Sequence, residues 1–205
     1  MFLSKVYIPW QQAKDPYQFH QALWRLFPGH EKDDRGFLFR VEQQQKGTST
    51  QVLMQSMQKP DENVKNPQLL TQRSYDINPC VGQRLRFRLR ANPIRTIKDD
   101  RKGTVVKKGY AYTKTVRVPL LHEEEQHAWL ERKFQSWAKL EALLIQPEPV
   151  LYFRKQKDNH SGKIQPVLFD GILTVVDAHG FLNQLQKGIG PAKAFGCGLL
   201  SIARA

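Results

Sequence analysis

Cysteine is scarce in this chain of 205 residues, where only Cys80 and Cys197 occur. One possible pair makes no disulfide framework, so the expectation is two reduced thiols and a fold held together by its own core. Long hydrophobic runs are missing as well. No stretch approaches the roughly 18 consecutive apolar residues of a spanning helix. The opening MFLSKVYIPWQQAKD lacks the basic start and apolar run of a secretory signal. Together these point to a soluble, cytoplasmic chain. Acidic residues are short too, 19 against 32 Lys plus Arg, which leaves a formal net charge of +13. Such a balance points to an anionic partner, nucleic acid before an anionic membrane surface. The alternative is a basic protein with no polyanion to bind.

Several catalytic signatures are also missing. His122 and His127 stand five residues apart, whereas a zinc-binding pair on one helix face needs a spacing of about four. In the segment HSGKI, Gly162-Lys163 resembles part of a phosphate loop. However, Lys157 stands where the first glycine belongs and Ile164 where the hydroxyl residue belongs. The glycines of GIGPAKAFGCG (188–198) follow a helical pattern rather than a strand, which removes a dinucleotide fold. Neither paired carboxylates nor a nucleophile elbow is present. Neither a metal nor a cofactor is implied.

What is present suffices for a folded core: 40% of residues are hydrophobic and 10% aromatic. Residues 2–8 read as a strand stopped by Pro9. Asp15-Pro16 then opens a helix, with Tyr17, His20, Leu23, Trp24 and Phe27 at helical spacing and Pro28-Gly29 ending it. Residues 36–43 and 50–57 read as strands joined by a polar turn. A weaker segment at 60–75 leaves room for a short helix, and a strand follows at 83–91. This is the βαββαβ order of a ferredoxin-like domain over residues 1–92. Residues 93–205 repeat the theme: a basic hairpin at 98–118, a helix at 122–144, a strand at 150–154, one long or two short strands at 163–176, a helix at 177–188 and a strand at 196–204.

In GQRLRFRLRANPIRT (82–96), Arg84, Arg86, Arg88 and Arg90 alternate with Leu85, Phe87, Leu89 and Ala91. Strand geometry puts all four arginines on one face. A row of guanidinium groups repels itself unless something anionic lies across it. Near the C-terminus, Gly188, Gly190, Gly196 and Gly198 bracket Lys193. Glycines let backbone N–H groups approach phosphate oxygens. The competing reading is a helix cap followed by a strand bulge.

This glycine array resembles the glycine-rich loop of the repeat-associated RNA-binding superfamily of CRISPR systems. YQFHQALWRLFP (17–28), FRLRANPIRT (87–96), SGKIQPVLFDGIL (161–173) and GIGPAKAFGCGLLS (188–201) occur in an order similar to that of the precursor-crRNA endoribonucleases of type I-E Cascade complexes. The resemblance covers nearly the whole chain. It implies an α+β fold of two tandem ferredoxin-like domains with antiparallel sheets. It also implies binding of a CRISPR repeat RNA hairpin and its metal-independent cleavage, leaving a 2′,3′-cyclic phosphate and a 5′-OH. The product would stay bound, beside the other Cascade protein subunits.

The chemistry asks for particular residues. Attack by a ribose 2′-OH needs a proton acceptor, a donor for the leaving oxygen, and cations at the phosphorane. Histidine titrates in the right range, and the resemblance places the catalytic histidine on His20. Tyr17, three residues earlier on the same helix face, matches an assisting tyrosine. Both also lie on an aromatic stripe with Trp24 and Phe27, where the alternative is plain core. Lys163 is the candidate for holding the phosphate, against the alternative of a solvated strand-end lysine. Arg88, Arg90, Arg95, Lys107, Lys108, Lys114 and Lys193 are the expected tracks for the RNA backbone, each otherwise simply solvated. Arg84 and Arg86 rest on alternation alone. Two rival readings remain at this level: a non-catalytic subunit that binds the RNA hairpin, and a general basic nucleic-acid-binding protein.

Overall fold

The computed structural model describes residues 1–205 except 31–32, 46, 99–102, 108–109 and 156–159. Its first half contains β1 (Phe2–Pro9), α1 (Trp10–Ala13), α2 (Pro16–Trp24), β2 (Phe37–Gln45), β3 (Ser49–Ser56) and β4 (Gln68–Ser74). The strands form one sheet in the order β2-β3-β1-β4, every neighbour antiparallel. Alternation explains the sheet. Val6 and Ile8 on β1, Phe37 and Phe39 on β2, and Val52 and Met54 on β3 point to one face. There they meet Phe19, Leu23, Leu26 and Phe27 from α2 and the turn after it. Each such side chain contributes roughly 1.5–3 kcal/mol of burial.

The short helix expected within 60–75 is absent. Residues 57–67 are irregular and Gln68–Ser74 is a strand, because Leu69 and its neighbours pair along β1. The first unit therefore has the strand order of a ferredoxin-like sheet without its second helix. The one-turn helix α1 was not anticipated. It forms directly after Pro9 ends the strand, with Lys14 N–H donating to Trp10 O at 3.0 Å.

The second half holds the complete pattern. Its sheet is built from β5 (Arg84–Ala91), β10 (Ala138–Pro147), β13 (Val167–Val175) and β14 (Leu200–Arg204), in the order β10-β13-β5-β14 and antiparallel throughout. The helices α3 (Glu123–Phe134) and α4 (Ala178–Lys187) fall at the two helical places of βαββαβ. Two hairpin excursions interrupt this pattern, one between β5 and α3 and one between β10 and β13. One comprises β6 (Ile94–Lys98), β7 (Thr104–Lys107), β8 (Tyr110–Thr113) and β9 (Thr115–Pro119), and the other comprises β11 (Leu151–Lys155) and β12 (His160–Ile164).

Two expectations change here. The arginine strand does not close the first sheet. It sits between β13 and β14 in the second sheet, so the chain changes sheet between Ser74 and Arg84 and the boundary expected at residue 92 falls inside the second unit. Burial explains the choice: Leu85, Phe87 and Leu89 join Phe134, Phe169, Leu173 and Phe181 in the second core. The helix expected over 122–144 ends at Phe134. Trp137 turns the chain, its N–H donating to Phe134 O at 2.9 Å, and residues 138–147 pair with β13 instead. The segment 163–176 is two strands, broken at Gln165-Pro166, since proline has no N–H for the ladder. Both cysteines are free, Cys80 exposed and Cys197 buried.

The units meet across the helix-free side of the first sheet. Gln55 Nε2 donates to Leu185 O at 2.8 Å, and Arg40 Nη1 to Arg88 O at 3.2 Å. Arg40 is 4% exposed and is neutralised by Glu42 at 2.6 Å.

Candidate functional site

The glycine array is both a helix cap and a loop tied down at two points. Gly188 ends α4 at φ 73°, and a Cβ there would press into Leu38. Gly198, at φ 96°, donates its N–H to Arg90 O at 2.7 Å, while its own carbonyl accepts from Ile189 N at 2.9 Å. A side chain at Gly198 would stand 3.0 Å from Ile189 O, so only glycine fits this closure without strain. Between the ties, residues Lys193–Phe195 form one 3₁₀ turn.

Arg90, expected to face RNA, is instead the internal anchor of that loop. It is 7% exposed and pairs with Glu148 at 2.6 Å. Its Nη1 donates to the carbonyls of Phe195 at 3.0 Å and Gly196 at 3.4 Å. The other strand arginines also have partners within the protein. Arg84 pairs with Glu141 at 2.8 Å, Arg86 donates to Arg204 O at 3.1 Å, and Arg88 makes a two-pronged pair with Asp170 at 2.8 and 3.1 Å. Carboxylates from β10 and β13 lie across this row of guanidinium groups. Arg88 and Arg95 remain exposed, the latter beside Glu125 at 3.0 Å, and Lys114 is exposed. Lys108 lies outside the described residues, as do the side chains of Lys107 and Tyr17.

Helix α2 packs against both the 3₁₀ turn and β11. His20 sits at this junction, its ring 5.7 Å from Phe37 and edge-on to Trp24 at 6.3 Å. Its Nε2 is buried and has no hydrogen-bond partner. Burial, and then the nearby Arg35 guanidinium, push its pKa from 6.5 down to about 4. Arg35 is itself lowered by burial, and its Nε is another buried nitrogen without a partner. Lys193 is lowered by burial, then by Arg35 and Lys187, and its Nζ donates to Lys187 O at 2.5 Å. Arg35 thus lies near both His20 and Lys193. Among the described residues, neither Arg35 nor Lys193 forms an ion pair with a carboxylate.

Lys163 lies on β12 opposite Tyr152, on the hairpin whose other strand touches α2. It is exposed and lines a cavity with Arg117, Asn92 and Phe153 that reaches Ala192 and Phe195 of the glycine loop. Phe153 and Phe195 pack at 4.6 Å. The structure therefore sets His20 beside Arg35, puts Lys193 near the same guanidinium, and places Lys163 on the wall of a cavity that reaches the glycine loop. Arg35 was missed in the sequence. In HEKDDRG a lone arginine among acids reads as a solvated charge, and no pattern there singles it out. Among the described residues, no group of three His, Cys, Asp or Glu side chains gathers to hold a metal ion.

A neutral imidazole with an unused nitrogen can accept a proton at pH 7. Burial and the Arg35 guanidinium beside it disfavour its protonated form until an anion enters. A phosphodiester placed among Arg35, Lys193 and His20 would satisfy the cations and raise the imidazole's proton affinity together.

A family model described as "CRISPR associated protein" matches residues 1–204. The chain is 45% identical over 203 residues to the CRISPR system Cascade subunit CasE of Escherichia coli strain K12, covering 99% of each chain. It is 33% identical over 204 residues to the CRISPR-associated endoribonuclease Cse3 of Thermus thermophilus, covering 92% of this chain and 90% of that one. A solved structure of a Cse3 endoribonuclease bound to a 19-nucleotide RNA aligns with a TM-score of 0.80 at 30% identity, covering 99% of this chain and 100% of that one.

Proposed function

This chain belongs to the family of CRISPR-associated proteins, and we propose that it is an endoribonuclease that binds CRISPR repeat hairpins and cleaves precursor crRNA without a metal. His20 carries proton transfer as a ribose 2′-OH attacks the adjacent phosphorus. The P–O5′ bond breaks, the 5′-oxygen takes a proton, and a 2′,3′-cyclic phosphate and a 5′-OH result. Tyr17 assists from one turn earlier on α2. Lys163 and Lys193 hold the phosphate, and Arg88, Arg95, Lys107, Lys108 and Lys114 follow the RNA backbone. The glycine loop bearing Gly188, Gly190, Gly196 and Gly198 positions Lys193. The product stays bound, and the protein acts in the cytoplasm as a Cascade subunit beside the other protein subunits.

One observation carries this reading: the buried, unpartnered Nε2 of His20 lies near the Arg35 guanidinium, which no carboxylate among the described residues neutralises. Relatives named a Cascade subunit and an endoribonuclease support it. The test is cleavage of the repeat RNA in EDTA, beside His20→Ala and an RNA carrying a 2′-deoxyribose at the scissile position. The wild type is expected to cut in EDTA. His20→Ala should lose about 10²–10⁴-fold in rate, the usual value of a positioned proton-transfer group, and the deoxy RNA should bind uncut. Full activity of His20→Ala would move the chemistry elsewhere. Cutting of the deoxy RNA would end the 2′-OH mechanism, and loss of activity in EDTA would require a metal.

A further inference from the structure

Five arginines of this protein are answered by an acid. Arg40 has Glu42, Arg84 has Glu141, Arg88 has Asp170, Arg90 has Glu148 and Arg95 has Glu125. Arg35 differs. It is half-buried, its Nε has no partner, and the acids beside it in the sequence do not serve it. Asp33 is engaged with His30 at 2.7 Å, and Asp34 makes no ion pair among the described residues. The backbone holding Arg35 is fixed just before β2 begins: Gly36 O accepts from Met57 N at 2.9 Å, and the Phe37 ring packs against His20. A desolvated guanidinium held in place without a counter-ion is stable only if it can reach water or a ligand anion.

We infer that Arg35 is a phosphate-contacting catalytic residue, whose guanidinium binds the non-bridging oxygens of the scissile phosphodiester beside His20. This rests on the endoribonuclease reading above and adds a residue that none of the recognised motifs contains. A guanidinium fork matches two phosphate oxygens, where lysine offers only a point charge. Lys193 and Arg35 would then share the charge that grows on the phosphorane, while His20 handles the proton. No covalent step is added, because Arg35 stays protonated throughout.

The test is single-turnover cleavage of the repeat hairpin with saturating protein, for the wild type, Arg35→Gln, Arg35→Lys and His20→Ala. Affinity is measured separately on the uncleavable 2′-deoxy hairpin. Arg35→Gln is expected to slow cleavage about 10²–10³-fold, as when one preorganised charge-stabilising donor is removed, and to change Kd by less than about tenfold. Arg35→Lys should fall between, because it keeps the charge and loses the fork. A second readout separates contact from mere scaffolding. The charged groups recorded around His20 are Arg35 and, beyond it, Lys193 and Lys187. The His20 imidazole, followed by NMR in the RNA-free protein, should therefore titrate at higher pH in Arg35→Gln than in the wild type. Cleavage by Arg35→Gln within about threefold of wild type would overturn the inference, as would a defect that saturating protein restores. Should Arg35→Gln fail to fold, Arg35→Lys decides: a slower rate at unchanged Kd supports the contact, and a wild-type rate overturns it. A wild type that does not cleave overturns the reaction itself. A cleaving wild type beside an equally fast Arg35→Gln overturns only the role of Arg35.

Discussion

Helices α2 and α3 hold the same place in their two units, the first crossover of a sheet whose strands run in the same order. Each carries a histidine at its fifth residue, His20 and His127. Their surroundings differ completely. His127 is 47% exposed, with Glu131 3.6 Å away. His20 is packed between Phe37 and Trp24, with its Nε2 unpartnered and Arg35 beside it. Topology places a helical histidine twice and makes a site once. The difference comes from what lies opposite: the 3₁₀ turn of the glycine loop, from the second unit, packs against α2, whereas α3 turns its outer face to solvent. In the proposed site, the reactive group belongs to the incomplete unit and the loop that packs against it belongs to the complete one.

The most direct way to break this arrangement is to release the loop. Arg90→Ala leaves Glu148 and the carbonyls of Phe195 and Gly196 without their shared donor. The expected cost is about 3 kcal/mol, at the low end for opening a buried pair because Glu148 stays 27% exposed. Cleavage should fall with it even at temperatures where the protein remains folded, because the 3₁₀ turn no longer stands against α2. Urea unfolding and single-turnover rates measure the two effects. Stability lost without loss of cleavage would show that the loop does not need its anchor to complete the site.

How much of this was legible from residue patterns follows from the same contrast. Local signals were sound where one segment decides its own structure. Examples are Pro9 ending β1, Gly188 ending α4, and the alternation of the arginine strand. They failed where a distant partner decides. The alternating arginines specified a strand but not its sheet, because Leu85, Phe87 and Leu89 would have suited either core. The run after Phe134 carries helix-forming residues, yet β13 claims it as a strand. At the site, four ordered motifs led to His20, Lys163 and Lys193. The same motifs assigned Arg90 to the surface, because a strand pattern cannot reveal that Glu148 will lie across it. Arg35 carries no pattern at all, and the role proposed for it depends on its lacking an acidic partner, with Asp33 held by His30 instead.

The fourth strands sharpen the comparison at a smaller scale. On β14, Leu200 is fully buried opposite Leu89 in a sheet covered by two helices. On β4, Leu70 is 43% exposed, at the edge of a sheet lacking its second helix. Leu200→Ala should cost about 2–5 kcal/mol and Leu70→Ala less than about 0.5 kcal/mol, read from denaturant midpoints. Equal costs would mean that the edge of the first sheet is covered in solution.

The smallest effect tests the asymmetry between the histidines, through the dependence of stability on pH. In the unfolded chain His20 takes its proton near pH 6.5, and in the folded protein only near about 4. Between those values the unfolded state binds more protons, so stability rises with pH across that window. The stability linked to neutral His20 is complete above pH 6.5. It is lost progressively as the pH falls towards 4 and stays lost below it. His20→Leu removes this dependence, so unfolding free energies measured from pH 7 to pH 4 should decline less steeply than in the wild type. The imidazole is only half-buried, and the water that reaches it screens the effect and makes it the weakest of those expected here. A His20→Leu curve as steep as the wild type's would show that the junction of α2 with the glycine loop does not force the imidazole neutral.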